Sequence, residues 1–197
     1  KGDLYNYENL EYCQKKYKNS IDIITGDGGF DFSVDYDKQE SMALKLIFSQ
    51  IAYAITMQKK GGTFVLKVFD LFLKPSVQLI YLLSCCYEQV YIIKPYTSRT
   101  ANSEKYIICK GFKLECSLEL SNKFISVLKV LRTIENKIVS ILDIPIQYYY
   151  LNHLVEINAI FGQQQMENIM TTILYIENEN KSEQLKFLKN KNIQRCL

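Results

Sequence analysis

The sequence predicts an α/β fold: parallel strands with crossover helices, closed by an antiparallel hairpin and followed by an α-helical extension. Three observations carry this prediction. Short apolar, β-branched runs at residues 21–25, 63–68, 89–93 and 105–110 read as strands of a buried sheet. Helical periodicity fills the gaps between the first three. Only residues 94–104 separate the last two strands, too few for a helical crossover, so that pair is antiparallel.

The elements follow in order. Residues 5–20 are polar and aromatic and read as a connecting helix or loop. Residues 21–25 run into Gly26-Asp27-Gly28-Gly29, a strand followed by a tight turn. Residues 31–38 are acidic and irregular, a loop. Residues 39–58 are the clearest helix, with Leu44, Ile47, Phe48, Ile51, Ala52 and Ile55 at helical spacing. Lys59, Lys60, Gly61 and Gly62 suit its carboxyl end. Pro75 opens a second helix reaching residue 87.

Residues 118–142 read as one apolar helix, with Phe124, Val127, Leu128, Leu131, Ile134, Ile138 and Ile141 inward and Pro145 as its breaker. Residues 147–161 are a further helix, and Met166, Ile169, Met170, Ile173 and Leu174 mark another stripe. The charged end, residues 177–197, is expected to fray. The expected division is an α/β part at 1–113 and a helical extension at 114–197.

Composition excludes several classes. A net charge of +3 is no polybasic nucleic-acid binder, so any RNA contact comes from a local patch. No apolar run is long enough for a membrane span. The six cysteines form no C-x-x-C pair. Cys85, Cys86 and Cys109 lie in apolar runs and read as core residues of a protein in a reducing compartment. The single histidine, His153, argues against zinc or a Ser/His/Asp triad and is expected to be structural, so no metal is expected. The chain begins at Lys1, within what reads as running sequence, and is expected to be part of a larger protein.

Asp27, Lys67 and Glu104 each sit in a polar break against an apolar strand. A lysine at the end of such a strand is costly unless acids pair it or chemistry uses it. Asp27 and Lys67 leave the carboxyl ends of parallel strands, and Glu104 enters the amino end of an antiparallel one. All three therefore reach the edge where open α/β sheets bind ligands. Bland alternatives exist for each: Asp27-Gly28 as a turn, Lys67 as a snorkelling side chain, Glu104 as a partner of Lys105. Tyr148, Tyr149 and Tyr150 are expected to pack rather than stack on bases, and the tail lysines to form a solvated face.

The segments GDGGF (26–30), GGTFVLKVFDLF (61–72) and VQLIYLLSCCYEQVYIIKPYTSRTANSEKYIICKGFK (77–113) resemble the FtsJ/RrmJ-like RNA 2′-O-methyltransferases, nearest to the cap-specific mRNA enzymes. The resemblance covers residues 1–113. It implies the C-terminal half of a Rossmann-like S-adenosylmethionine-dependent methyltransferase sheet, ending in an antiparallel hairpin. It also implies Asp27, Lys67 and Glu104 as three members of a Lys-Asp-Lys-Glu catalytic tetrad. S-adenosyl-L-methionine would be the cofactor, bordered by Gly26, Asp27 and Gly28. Capped RNA would be the substrate, methylated on its first transcribed nucleotide. Its contacts would come from Gln39, Glu40 and Ser41 and from Ser98, Arg99, Asn102 and Ser103, with Lys74 and Lys94 as further phosphate ligands.

The family's first catalytic lysine and glycine-rich loop have no counterpart before Ile21. The expected partners are therefore the preceding part of the same protein and the capping machinery, in nucleus or cytoplasm (a viral factory if the source is viral). Methylation of ribosomal or transfer RNA, and a binding module without catalysis, remain as alternatives.

Overall fold

A computed structural model describes residues 2–29, 38–133, 138–177 and 182–196. Strands β1 (Ile21–Gly26), β2 (Gln58–Val68), β3 (Tyr87–Ile93) and β4 (Lys105–Phe112) form one sheet in the order β1-β2-β4-β3. β1 and β2 are parallel, and β4 lies antiparallel to both its neighbours. The helices are α1 (Tyr7–Tyr17), α2 (Gln39–Met57), α3 (Lys74–Cys86), α4 (Leu118–Thr133), α5 (Tyr148–Glu177) and α6 (Ser182–Cys196). The mixed sheet with its terminal hairpin is the architecture expected.

Strand periodicity of two sorts the side chains. Phe64, Leu66 and Val68 of β2 and Ile107 and Cys109 of β4 are fully buried in the core formed with α2 and α3. Val65, Lys67, Tyr106 and Ile108, on the other face, are half-buried. α2 is apolar almost all round because the sheet, α1 and α4 enclose it. Leu10 of α1 is fully buried, and Phe124 of α4 meets Phe48 edge-on, with ring centres 5.6 Å apart.

Several expectations are corrected. The run from Lys59 to Gly62 does not cap α2; it belongs to β2. Gln58 donates from Nε2 to the carbonyls of Ile21 and Asp22, which draws the chain into the sheet at once. The surplus residues bulge between the Ile21↔Gln58 and Ile23↔Thr63 pairs, where Gly61 takes φ 77°. The helix expected to reach residue 142 spans Leu118–Thr133 among the described residues, and residues 138–142 are not helical. Ile138 and Ile141 still pack on the core, but from an irregular segment. Buried Gln78 of α3 explains it: its Oε1 accepts the amides of Ile141 and Leu142, and its Nε2 donates to the Leu142 carbonyl. Ile134 lies outside the described residues, as does most of the acidic segment 31–38.

The two helices expected after Pro145 are one helix, α5. Its first half docks: Tyr150 meets Tyr81 edge-on at 5.0 Å, Leu154 is buried, and Asn158 donates to the Leu71 carbonyl. The Met166 to Leu174 stripe is exposed rather than packed. Tyr148 and Tyr149 are also exposed, Tyr149 edge-on to His153. Val127 is exposed and Ile125 buried in its stead, while Cys85 lies at the surface and Cys86 in the core. The tail expected to fray is helical from Ser182.

Candidate active site

Register brings the three predicted residues to one edge of the sheet. Gly26 pairs with Leu66 across the parallel ladder, so Asp27 emerges beside Lys67. Across the antiparallel ladder Lys67 faces Tyr106 and Val68 faces Lys105, so Glu104 emerges at the same edge. Lys67 forms an ion pair with the Asp27 carboxylate, and its Nζ also donates to the Asp27 carbonyl at 3.4 Å. The lysine side chain is 18% exposed and the aspartate 71%. The acid therefore costs little to keep charged, while the lysine is held at the sheet surface by its partner.

Glu104 is fixed differently. Its carboxylate accepts from the Tyr106 hydroxyl at 2.7 Å and from Asn102 Nδ2 at 3.3 Å. Among the described residues it makes no ion pair with Lys67. The Glu104 hydrogen bond pushes the Tyr106 phenol up to about 12, with burial and the charges of Glu104 and Asp27 adding to it. Tyr106 is thus a protonated donor at neutral pH.

The turn before Glu104 is stapled by Lys94. Its ammonium donates to the Asn102 carbonyl at 2.7 Å, to Asn102 Oδ1 at 2.8 Å and to the Glu104 carbonyl at 2.8 Å. That corrects the expectation of Lys94 as a phosphate ligand, since its three donors are engaged within the loop. Burial, with the charge of Lys105 adding to it, holds this ammonium below its ordinary range, against the pull of Glu104 and Asp70. Lys105 itself is 5% exposed, with Nζ 3.3 Å from Asp70 and 5.9 Å from the Phe161 ring centre of α5.

The remaining sequence candidates divide. Arg99 and Lys74 are exposed. Ser103 donates to Gln39 Oε1 at 3.1 Å, which ties the hairpin loop to the start of α2, and Ser41 donates to the Lys38 carbonyl within that first turn. Ser98 has a buried hydroxyl. Glu40 is 9% exposed, and its two carboxylate oxygens accept the amides of Leu73 at 2.8 Å and Phe72 at 3.2 Å. It has a structural task where the sequence suggested a ligand.

The predicted cofactor border fits a cationic donor in part. Asp27 offers an exposed carboxylate at the end of a parallel strand. Gly26 and Gly28 look inward: a Cβ on either would meet Gln50 Oε1 within 2.9 and 3.1 Å, and Gly28 already donates its amide to that oxygen. Gly29 faces Lys67, whose Nζ a Cβ would approach at 3.6 Å. No group of three or more His, Cys, Asp or Glu among the described residues is arranged to hold a metal. No helix of the described residues is long and apolar enough to cross a membrane.

Sequence reasoning missed Tyr106 and Gln50. Tyr106 was findable, because residues 104 and 106 share one strand face and the hairpin register sets that face against Lys67. Gln50 was not, because it sits within an apolar helix stripe and nothing local marks its target.

The sequence profile of FtsJ-like methyltransferases matches residues 1–112. The chain is 38% identical over 111 residues to cap-specific mRNA (nucleoside-2′-O-)-methyltransferase 2 of Drosophila melanogaster, covering 56% of this chain and 16% of that protein. It is 41% identical over 118 residues to cap-specific mRNA (nucleoside-2′-O-)-methyltransferase 1 of Mus musculus, covering 57% and 14%. It is 32% identical over 141 residues to inactive cap-specific mRNA (nucleoside-2′-O-)-methyltransferase 1B of Caenorhabditis briggsae, covering 69% and 17%. The chain thus spans between 14% and 17% of the length of these curated relatives.

Proposed function

The chain belongs to the FtsJ-like methyltransferase family, and we propose that it carries part of the active site of an mRNA cap ribose 2′-O-methyltransferase. The observation that carries this reading is the Lys67–Asp27 ion pair at the sheet edge, with Glu104 at the same edge. A ribose hydroxyl is a poor nucleophile near neutral pH and gains from a positioned acceptor. In this reading Lys67, held by Asp27, orients the 2′-hydroxyl for in-line attack, the bond from oxygen to the methyl group forming as the methyl–sulfur bond of the donor breaks. Asp27 and Glu104 fix the lysine and the surrounding charge. S-adenosylmethionine supplies an electrophilic methyl group when bound, and Asp27 is the residue of this chain that borders it. Positioning accounts for much of the rate.

Exposed Arg99, in the loop that leads to Glu104, is the natural phosphate contact for the RNA. Ser98, Asn102 and Ser103 shape the loop that presents it. Identity to the mouse protein 1 and the fly protein 2 is nearly equal, 41% and 38%. The first-nucleotide assignment therefore rests on the hairpin text of residues 97–111. The first lysine and the glycine-rich loop are taken to come from the preceding part of the same protein.

A second reading, an RNA- or partner-binding module without turnover, is favoured by the likeness to the nematode protein named inactive. Labelled S-adenosylmethionine, the full-length protein and a capped RNA separate the two. Label on the first-nucleotide ribose, absent when that ribose is already methylated, supports the enzyme. RNA binding without transfer supports the module, and label on a different ribose reassigns the substrate.

A further inference from the structure

Glu104 can serve beside Lys67 only if its carboxylate is aimed, yet the two do not pair directly among the described residues. What holds it is two neutral donors, backed by one ammonium. Tyr106 donates to one carboxylate oxygen at 2.7 Å and Asn102 to the other at 3.3 Å. Asn102 is gripped in turn through its carbonyl and its Oδ1 by Lys94, which also takes the Glu104 carbonyl. A half-buried ammonium given only uncharged acceptors is a costly way to shape a loop. Its three contacts all fall on Asn102 and Glu104. Tyr106 stands opposite Lys67 in the β2–β4 register, with its hydroxyl turned to Glu104. Its raised phenol keeps that hydroxyl a donor across the working pH range.

We propose that Tyr106 is a positioning residue which aims the Glu104 carboxylate at the Lys67–Asp27 pair, with the Lys94–Asn102 clamp fixing the loop behind it. The inference rests on the catalytic reading above and deepens it: Tyr106 acts through Glu104 and not on the RNA. Removing the hydroxyl therefore lowers turnover, leaves RNA affinity intact and has no effect once Glu104 is itself misplaced.

The test is a double-mutant cycle on the full-length protein with capped RNA and labelled S-adenosylmethionine, using Tyr106→Phe, Glu104→Asp and the pair. Shortening Glu104 by one methylene takes the carboxylate out of the tyrosine's reach. Tyr106→Phe is expected to lower kcat about tenfold, with KM for RNA changed less than about threefold. The pair is expected to be no slower than Glu104→Asp alone, within the usual scatter of such cycles. An unchanged kcat in Tyr106→Phe, a loss confined to KM, or a double variant slowed by the product of both single effects overturns the proposal. Should Tyr106→Phe fail to fold, Lys94→Met is read by the same criteria. Wild-type protein that transfers no methyl group to capped RNA removes the catalytic reading and this inference with it. An active wild type with an indifferent Tyr106→Phe removes the inference alone.

Discussion

Replacing Glu40 with alanine separates a cap ligand from a structural clasp. The carboxylate, on the first turn of α2, accepts the amides of Phe72 and Leu73 just ahead of α3. It thus closes the loop that follows the Lys67 strand. It also puts a negative charge at a helix amino end that has no side-chain cap of its own. Each hydrogen bond to a charged group contributes about 1.5–3 kcal/mol. With part of the loss offset where water reaches the freed amides, the net loss is about 2–3 kcal/mol. For a chain of this length that corresponds to a fall in Tm of roughly 4–12 °C. Thermal unfolding followed by circular dichroism measures it, and titration of a fluorescent cap analogue well below Tm measures the alternative. The expected result is a lowered Tm with cap affinity changed less than about threefold. An unchanged Tm with a tenfold or greater loss of cap affinity would rule out the clasp and restore Glu40 as a ligand.

Other expectations follow from the same contacts. Gly28→Ala brings a methyl group within 2.9 Å of Leu46 Cδ2 and 3.1 Å of Gln50 Oε1. It should cost about 1–3 kcal/mol in urea unfolding and displace Asp27, lowering transfer even where the protein is folded. Alkaline titration should destabilise the fold. Burial pushes the Cys86 thiol up to about 11 and Cys109 up to about 12 from the ordinary 9.0. Folded thiols keep protons that unfolded ones lose, so this stability is fully present below pH 9 and drains away as pH rises through 11 and 12. Denaturant midpoints at pH 7.5, 9 and 10.5 should fall in that order, against a weaker opposite effect of Lys94, whose folded ammonium titrates early. Replacing both thiols with alanine should make the fall shallower without abolishing it, because Tyr53 and Tyr106, held up to about 12 in the fold from the ordinary 10.0, lose stability in the same direction.

The sheet and the edge at which Asp27, Lys67 and Glu104 emerge were legible because they depend on local signals. β-branched runs, an eleven-residue link too short for a crossover and helical spacing in α2 fixed the order and direction of the strands. That order alone brings Asp27, Lys67 and Glu104 together. Long-range side-chain bonds escaped. Gln78 satisfies backbone groups at Ile141 and Leu142, so a stretch whose apolar spacing mimics a helix is free to be irregular. Gln58 does the same for the start of β2. The unbroken α5 was missed because Gln163, Gln164 and Gln165 are good helix formers that interrupt the apolar stripe without interrupting the helix. Lys94 and Glu40 were misread because a charged residue in a loop looks alike whether it meets phosphate, guanine or its own backbone.

The most direct measurement is methyl transfer by the full-length protein carrying Lys67→Met. The substitution keeps the apolar stem and leaves Asp27, already mostly exposed, in water, so the fold should stand. A loss of more than about a hundredfold in turnover is expected, with Tm and capped-RNA affinity close to wild type. Turnover within about threefold of wild type would contradict the role proposed for Lys67 in the transfer.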